Sequence, residues 1–164
     1  MNRLLKFILV TGFIAGTLDI IGAYILSYIN SGKFAAKLFH YIAGGWLGSA
    51  TSMTGGTGTV LLGVLSHYFI ATSFVAFFFL LYPRIKLLRF NPVIAGLLYG
   101  LFIDLVMKNI VLPLSALHSK PAFDWNKFLI NSLIVGLAIG IPAAIASKKY
   151  YLSRTLSSAA IIRK

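Results

Sequence analysis

The chain has 164 residues, is 59% hydrophobic and carries only 11% charged residues, against about 25% in an ordinary soluble domain. Its mean hydropathy is +0.89, and a water-soluble fold of this length cannot hide so much apolar surface. The net charge is +12, from 15 Lys and Arg against three acids. The basic residues fall at the ends of apolar runs and not in one patch, which argues against a nucleic-acid partner. There is no cysteine, so disulfides, thiolate chemistry and Cys-based zinc sites are excluded.

Four apolar runs span 7–29, 59–82, 92–112 and 128–147. Each reaches the length of about 20 residues needed to cross a bilayer core. The expected fold class is all-α: a polytopic bundle of four transmembrane helices. A short amphipathic helix in the interface is expected between the first and second. Residues 1–151 form one transmembrane domain, and 152–164 form a basic tail that either continues as helix on the leaflet or is unstructured.

The first run is too long for a signal peptide, is interrupted by Asp19, and has no small-x-small cleavage site after it. It reads as an uncleaved helix. Ser31-Gly32 breaks it. In 33–46, Phe34, Leu38, Tyr41 and Ile42 face away from Lys33, Lys37 and His40, which suits an interfacial helix. A cap packed on the bundle is the alternative. Residues 44–58 contain six glycines and read as a loop or a re-entrant segment. Thr54 to Thr59 either cradles an anion or simply turns into the second helix, and the turn is the stronger reading. A P-loop is excluded because its Lys-Ser/Thr ending is missing.

The connector 83–92 is short and basic. The third helix stops at Leu112-Pro113, and a loop with His118, Lys120, Asp124 and Trp125 leads to the fourth. Two basic residues precede the first run, three lie in the connector and five in the tail, against Lys33, Lys37, Lys120 and Lys127 opposite, with Lys108 near that end. That bias predicts both termini in the cytoplasm.

Gly12/Gly16, Gly96/Gly100 and Gly136/Gly140 each repeat at spacing four. Each pair puts two glycines on one helix face, where a neighbouring backbone can approach. The small face of the first helix continues to Asp19, and that of the third to Asp104 and Lys108. Both acids climb roughly 17–18 Å from their helix starts at 1.5 Å per residue, and His67 lies about 11 Å into the second helix. Three ionisable groups thus fall in neighbouring layers of the membrane. Such groups must be neutralised, paired or hydrated. Asp19, His67 and Asp104 are the candidate site for a proton, a cation or a small polar solute.

Structural readings stand beside this one. Lys108 follows Asp104 at the favourable i,i+4 spacing and can neutralise it. Asp19 has no base nearby in its own helix, so it is either a site or an acid bonded to a facing hydroxyl. His67 is either a packing residue or a ligand. His40 and His118 read as surface residues. No histidine pair has helical metal spacing, so neither metal nor cofactor is expected. No catalytic motif appears, and the expectation is a non-enzymatic protein.

The stretches Gly16-Thr-Leu-Asp-Ile20, Gly55-Gly-Thr-Gly-Thr-Val-Leu-Leu-Gly63, Ser66-His-Tyr-Phe-Ile-Ala71, Tyr82-Pro-Arg-Ile-Lys86 and Val111-Leu-Pro-Leu-Ser115 resemble a family of small, uncharacterised bacterial inner-membrane proteins. The resemblance covers roughly residues 1–151. It implies four helices and a bacterial plasma membrane, and brings no activity, substrate or cofactor. The sequence favours transport or channel-like handling of small cations or polar solutes, against a structural or accessory role. A single bundle is a thin scaffold for alternating access, which leaves room for a homodimer. No protein partner is indicated.

Overall fold

A computed structural model describes residues 2–119 and 123–162, with side chains as far as residue 154. Lys120, Arg163 and Lys164, which entered the charge count, lie outside the described residues. Four helices are long and apolar enough to cross a membrane: Arg3–Ser31, Thr57–Leu81, Pro92–Leu114 and Trp125–Arg154. We call them the first to fourth helices. No strand occurs among the described residues. Large apolar side chains such as Phe13, Leu65 and Phe69 point outward from the bundle, as a lipid solvent requires. The chain is a multipass membrane protein.

The helix ends follow local chemistry. Gly32 closes the first helix in the left-handed region, φ 66°, with its N–H donating to Tyr28 O at 2.8 Å. Only glycine adopts that conformation without strain. Asn91 caps the third helix by accepting from Val93 N at 2.8 Å, and Pro92 starts it. Asp124 caps the fourth, accepting from Lys127 N at 3.1 Å. The backbone N–H of Lys127 holds the Asp124 carboxyl below its ordinary range.

Between the first two helices the structure departs from a flat interfacial helix. A helix over Leu38–Leu47 turns at Gly48 into a second short helix, Ser49–Thr54. The first of these buries Ala43 and Gly44, the latter against Ser52 and Leu117. A Cβ on Gly63 would stand 2.7 Å from the Phe39 carbonyl carbon, so the cap presses backbone to backbone on the second helix. His40 Nε2 donates to Gly55 O at 3.1 Å, and Trp46 Nε1 donates to Ser66 Oγ at 2.9 Å. The glycines at 44 and 45 therefore belong to a packed cap and not to a loop. Gly55 and Gly56 both have negative φ and extended backbone, so their N–H groups do not converge into an anion cradle.

The third and fourth helices meet glycine on glycine. A Cβ on Gly96 would lie 2.7 Å from Gly140 C, and one on Gly100 would lie 2.5 Å from Gly136 Cα. Both helices then widen into a π turn, over Met107–Val111 and Gly136–Gly140. In each case a proline follows two residues later, Pro113 and Pro142. A proline ring clashes with the carbonyl four residues back and lacks an N–H, and a wider turn relieves both problems.

The fourth helix does not end at Ser147. Helical backbone continues to Ile162. Lys148 and Lys149 look like the edge of a membrane span, but Tyr150 and Tyr151 beyond them still have partners. Tyr150 packs on Phe7 at 5.5 Å between ring centroids, and Tyr151 stacks on Tyr82 at 5.6 Å. Those contacts carry the helix past the span.

Substituting Gly96→Leu should therefore destabilise the bundle by about 1–3 kcal/mol or more through overpacking, whereas Gly58→Ala, with nothing within 4 Å, should be neutral or stabilising. Unfolding of both variants in detergent micelles checks the difference.

Candidate functional site

Asp19, His67 and Asp104 line one cavity of about 480 Å³ between the four helices and the cap. Asp19 lies 12 residues from the end of its helix, His67 10 from the start of the second, and Asp104 10 from the end of the third. At 1.5 Å per residue, all three sit about 15–18 Å from the same face of the bundle. The walls around them are mostly apolar, with Ile70, Phe74, Ile103, Ile134 and Ile139. Ser27, Asn30 and Asn131 add polar groups, and Ile42 of the cap also borders the cavity.

The three groups differ in their partners. Asp104 is buried, and Lys108 Nζ lies 2.7 Å from its Oδ2. Ser132 Oγ, on the facing fourth helix, donates to the same oxygen at 3.5 Å. Lys108 also stands 5.3 Å from the centre of the Phe128 ring, a geometry in which a ring face attracts a cation. This acid is neutralised within the fold.

His67 Nε2 lies 2.9 Å from Gly16 O. A carbonyl cannot donate, so Nε2 carries the hydrogen, and Nδ1 of the neutral ring is an acceptor. The bond ties the second helix to the first beside a second tie, Thr17 Oγ1 to Tyr68 OH at 3.0 Å. The packing and ligand readings of His67 are thus compatible, one nitrogen serving each.

Asp19 has neither an ion pair nor a hydrogen bond among the described residues. His67 borders the same cavity, but no cation touches Asp19 among the described residues. The small face that leads to it packs as the glycine spacing suggests: a Cβ on Gly12 would lie 2.9 Å from Thr72 Cα, and one on Gly16 would lie 2.9 Å from the Tyr68 ring.

A second cavity, about 520 Å³, adjoins the first. Tyr41, Lys108, Asn109, Asp124, Lys127 and Asn131 border it. Asn131 borders both cavities, while Asp104 faces the first and its partner Lys108 the second. The ion pair and Asn131 therefore form the partition. Lys108 shares a glycine-led stripe with Asp104 in the sequence, yet it lines the other cavity. It sits in the π turn, which changes the helical phase after Asp104.

Among the described residues no three His, Cys, Asp or Glu side chains converge on a point where a metal would sit. His40 is occupied by Gly55 O. His118 is exposed at φ 45° and lies outside the cavity. Asn131 and Phe74 were not singled out by sequence reasoning. An asparagine inside an apolar run was the available signal for the first, and nothing in the sequence marked the second. No protein-family model, curated protein or solved structure matches the chain.

Removing Lys108 alone, as Lys108→Met, leaves a buried carboxylate without its counter-ion and should cost about 3–5 kcal/mol. Adding Asp104→Asn should return most of that loss. Unfolding of wild type, both single variants and the double variant gives the coupling between the two residues.

Proposed function

We propose that this protein handles protons or small cationic or polar solutes, in a transport or channel-like way, without enzymatic chemistry. The observation that carries the reading is Asp19: a carboxyl group in an apolar-walled cavity inside the membrane span, with neither a hydrogen bond nor an ion pair among the described residues. An isolated charge there is costly, so the group is set to hold a proton, meet a cation or draw in water. A bare divalent ion would demand six or more oxygen ligands, and the Asp104 carboxylate is already committed to Lys108 and Ser132. A proton or a monovalent organic cation suits one carboxylate among isoleucines and a phenylalanine.

The second cavity supplies a polar approach, and the Asp104–Lys108 pair with Asn131 is the step a solute must pass. The reading places the protein in a bacterial inner membrane with both termini cytoplasmic. Arg3, Lys6, Arg84, Lys86, Arg89, Lys148, Lys149 and Arg154 gather at the end with the termini, against Lys33, Lys37, Lys108 and Lys127 towards the other. That distribution supports the orientation.

A second reading has its own support. The His67–Gly16 bond joins the second helix to the first, and the Ser132–Asp104 bond joins the fourth to the third; a structural or accessory protein needs nothing more.

Thermal unfolding in detergent across pH, with a panel of monovalent cations and small amines, separates the two. A ligand of the folded state raises stability by about 2.7 kcal/mol at a hundredfold excess over its Kd. The transport reading expects a ligand-specific shift that Asp19→Asn abolishes while keeping the fold. If no ligand shifts wild type and Asp19→Asn merely melts earlier, the structural reading stands.

A further inference from the structure

We propose that the groove between the first and fourth helices is a binding site for an anionic glycerophospholipid. The groove measures about 480 Å³ and is walled by Phe7, Val10, Ile14, Pro142 and Ile145. Lys6 and Lys149 border it as well. The two helices run antiparallel here. Lys6 precedes Ile14 by eight residues, and Lys149 follows Pro142 by seven. Both ammonium groups therefore stand at one end of the groove, and the apolar channel runs about 10–12 Å from them towards the bundle centre. A charged end with an apolar slot below it is the shape of a phospholipid: phosphate at the lysines, acyl chain along the wall.

Charge balance favours an anionic headgroup. Lys6 and Lys149 are exposed and make no ion pair among the described residues. The chain has only three acids, Asp19, Asp104 and Asp124, and none borders the groove. Two like charges at one groove mouth repel, and a phosphate between them removes the repulsion. The counter-charge must come from outside the protein, and an anionic leaflet supplies it at about 1 kcal/mol per basic residue. The groove beside Leu97, Leu101, Leu129 and Leu133 has no basic residue on its border, so it offers acyl contact without a headgroup.

The site is independent of the Asp19 cavity, which none of its residues borders. Its test is a titration of the full chain, in a neutral detergent, with phosphatidylglycerol or with phosphatidylcholine of the same acyl chains. Bound lipid is counted by native mass spectrometry. Phosphatidylglycerol should bind more tightly than phosphatidylcholine. Each lysine removed should weaken it roughly fivefold, so Lys6→Gln/Lys149→Gln should lose most of the preference. The control Lys33→Gln/Lys127→Gln, equal in charge but at the opposite end, should keep it. Ala146→Phe, which narrows the groove without changing charge, should weaken both lipids. Equal binding of the two lipids by wild type would overturn the site. So would a preference unchanged in Lys6→Gln/Lys149→Gln, or one lost equally in the control.

Discussion

The contact of Gly96 and Gly100 with Gly136 and Gly140 sets the geometry of everything near the site. Four residues without side chains let two helices approach at backbone distance. That approach brings Ser132 to Asp104 and Phe128 to Lys108, and places Asn131 at the partition between the cavities. In lipid, no hydrophobic force drives helices together, so close packing and buried polar contacts must do it. A side chain at any of these glycines would push the fourth helix out and separate Asp104 from its hydroxyl partner.

The two π turns extend the same constraint. Each lies next to the glycine contact or within it, and each precedes a proline. The turn in the third helix matters most for chemistry, because Asp104 precedes it and Lys108 lies inside it. One residue faces each cavity, and the pair closes the space between. The two acids of the membrane interior are thereby made unequal. Asp104 is held by a lysine and a serine, and Asp19 has neither a hydrogen bond nor an ion pair among the described residues. A bundle with neither paired would carry a desolvation cost that its few polar contacts cannot offset.

The cap contributes differently. Its helix over Leu38–Leu47 covers the end of the bundle nearest the three ionisable groups, with Ile42 at the first cavity and Tyr41 at the second. It is fixed by a tryptophan and a histidine bonded to the second helix and the turn before it. The opposite end is closed by aromatic packing among Phe7, Phe79, Tyr82, Tyr150 and Tyr151. The interior cavity thus lies between the hydrogen-bonded cap and the aromatic layer.

The apolar runs by themselves determined four helices and their limits near Gly32, Pro83 and Pro92, because glycine and proline act on backbone geometry locally. Spacing of four determined that Gly12, Gly16, Gly96 and Gly100 lie on packing faces, and that Lys108 can reach Asp104. Sequence periodicity could not say which glycine face meets which, since every such face looks alike until it has a partner. Nor could it foresee the π turns, which arise from prolines acting on the turn before them and shift the phase on which a helical wheel depends. The glycines at 44 and 45 resembled a loop because their use, close approach of a cap, depends on residues far along the chain. The continuation beyond Ser147 depended likewise on Phe7 and Tyr82. Only tertiary structure decided that Asp19, His67 and Asp104 share one cavity, and that Asp19 has neither a hydrogen bond nor an ion pair among the described residues, because pairing in a bilayer is settled by what the neighbouring helices present at the same depth.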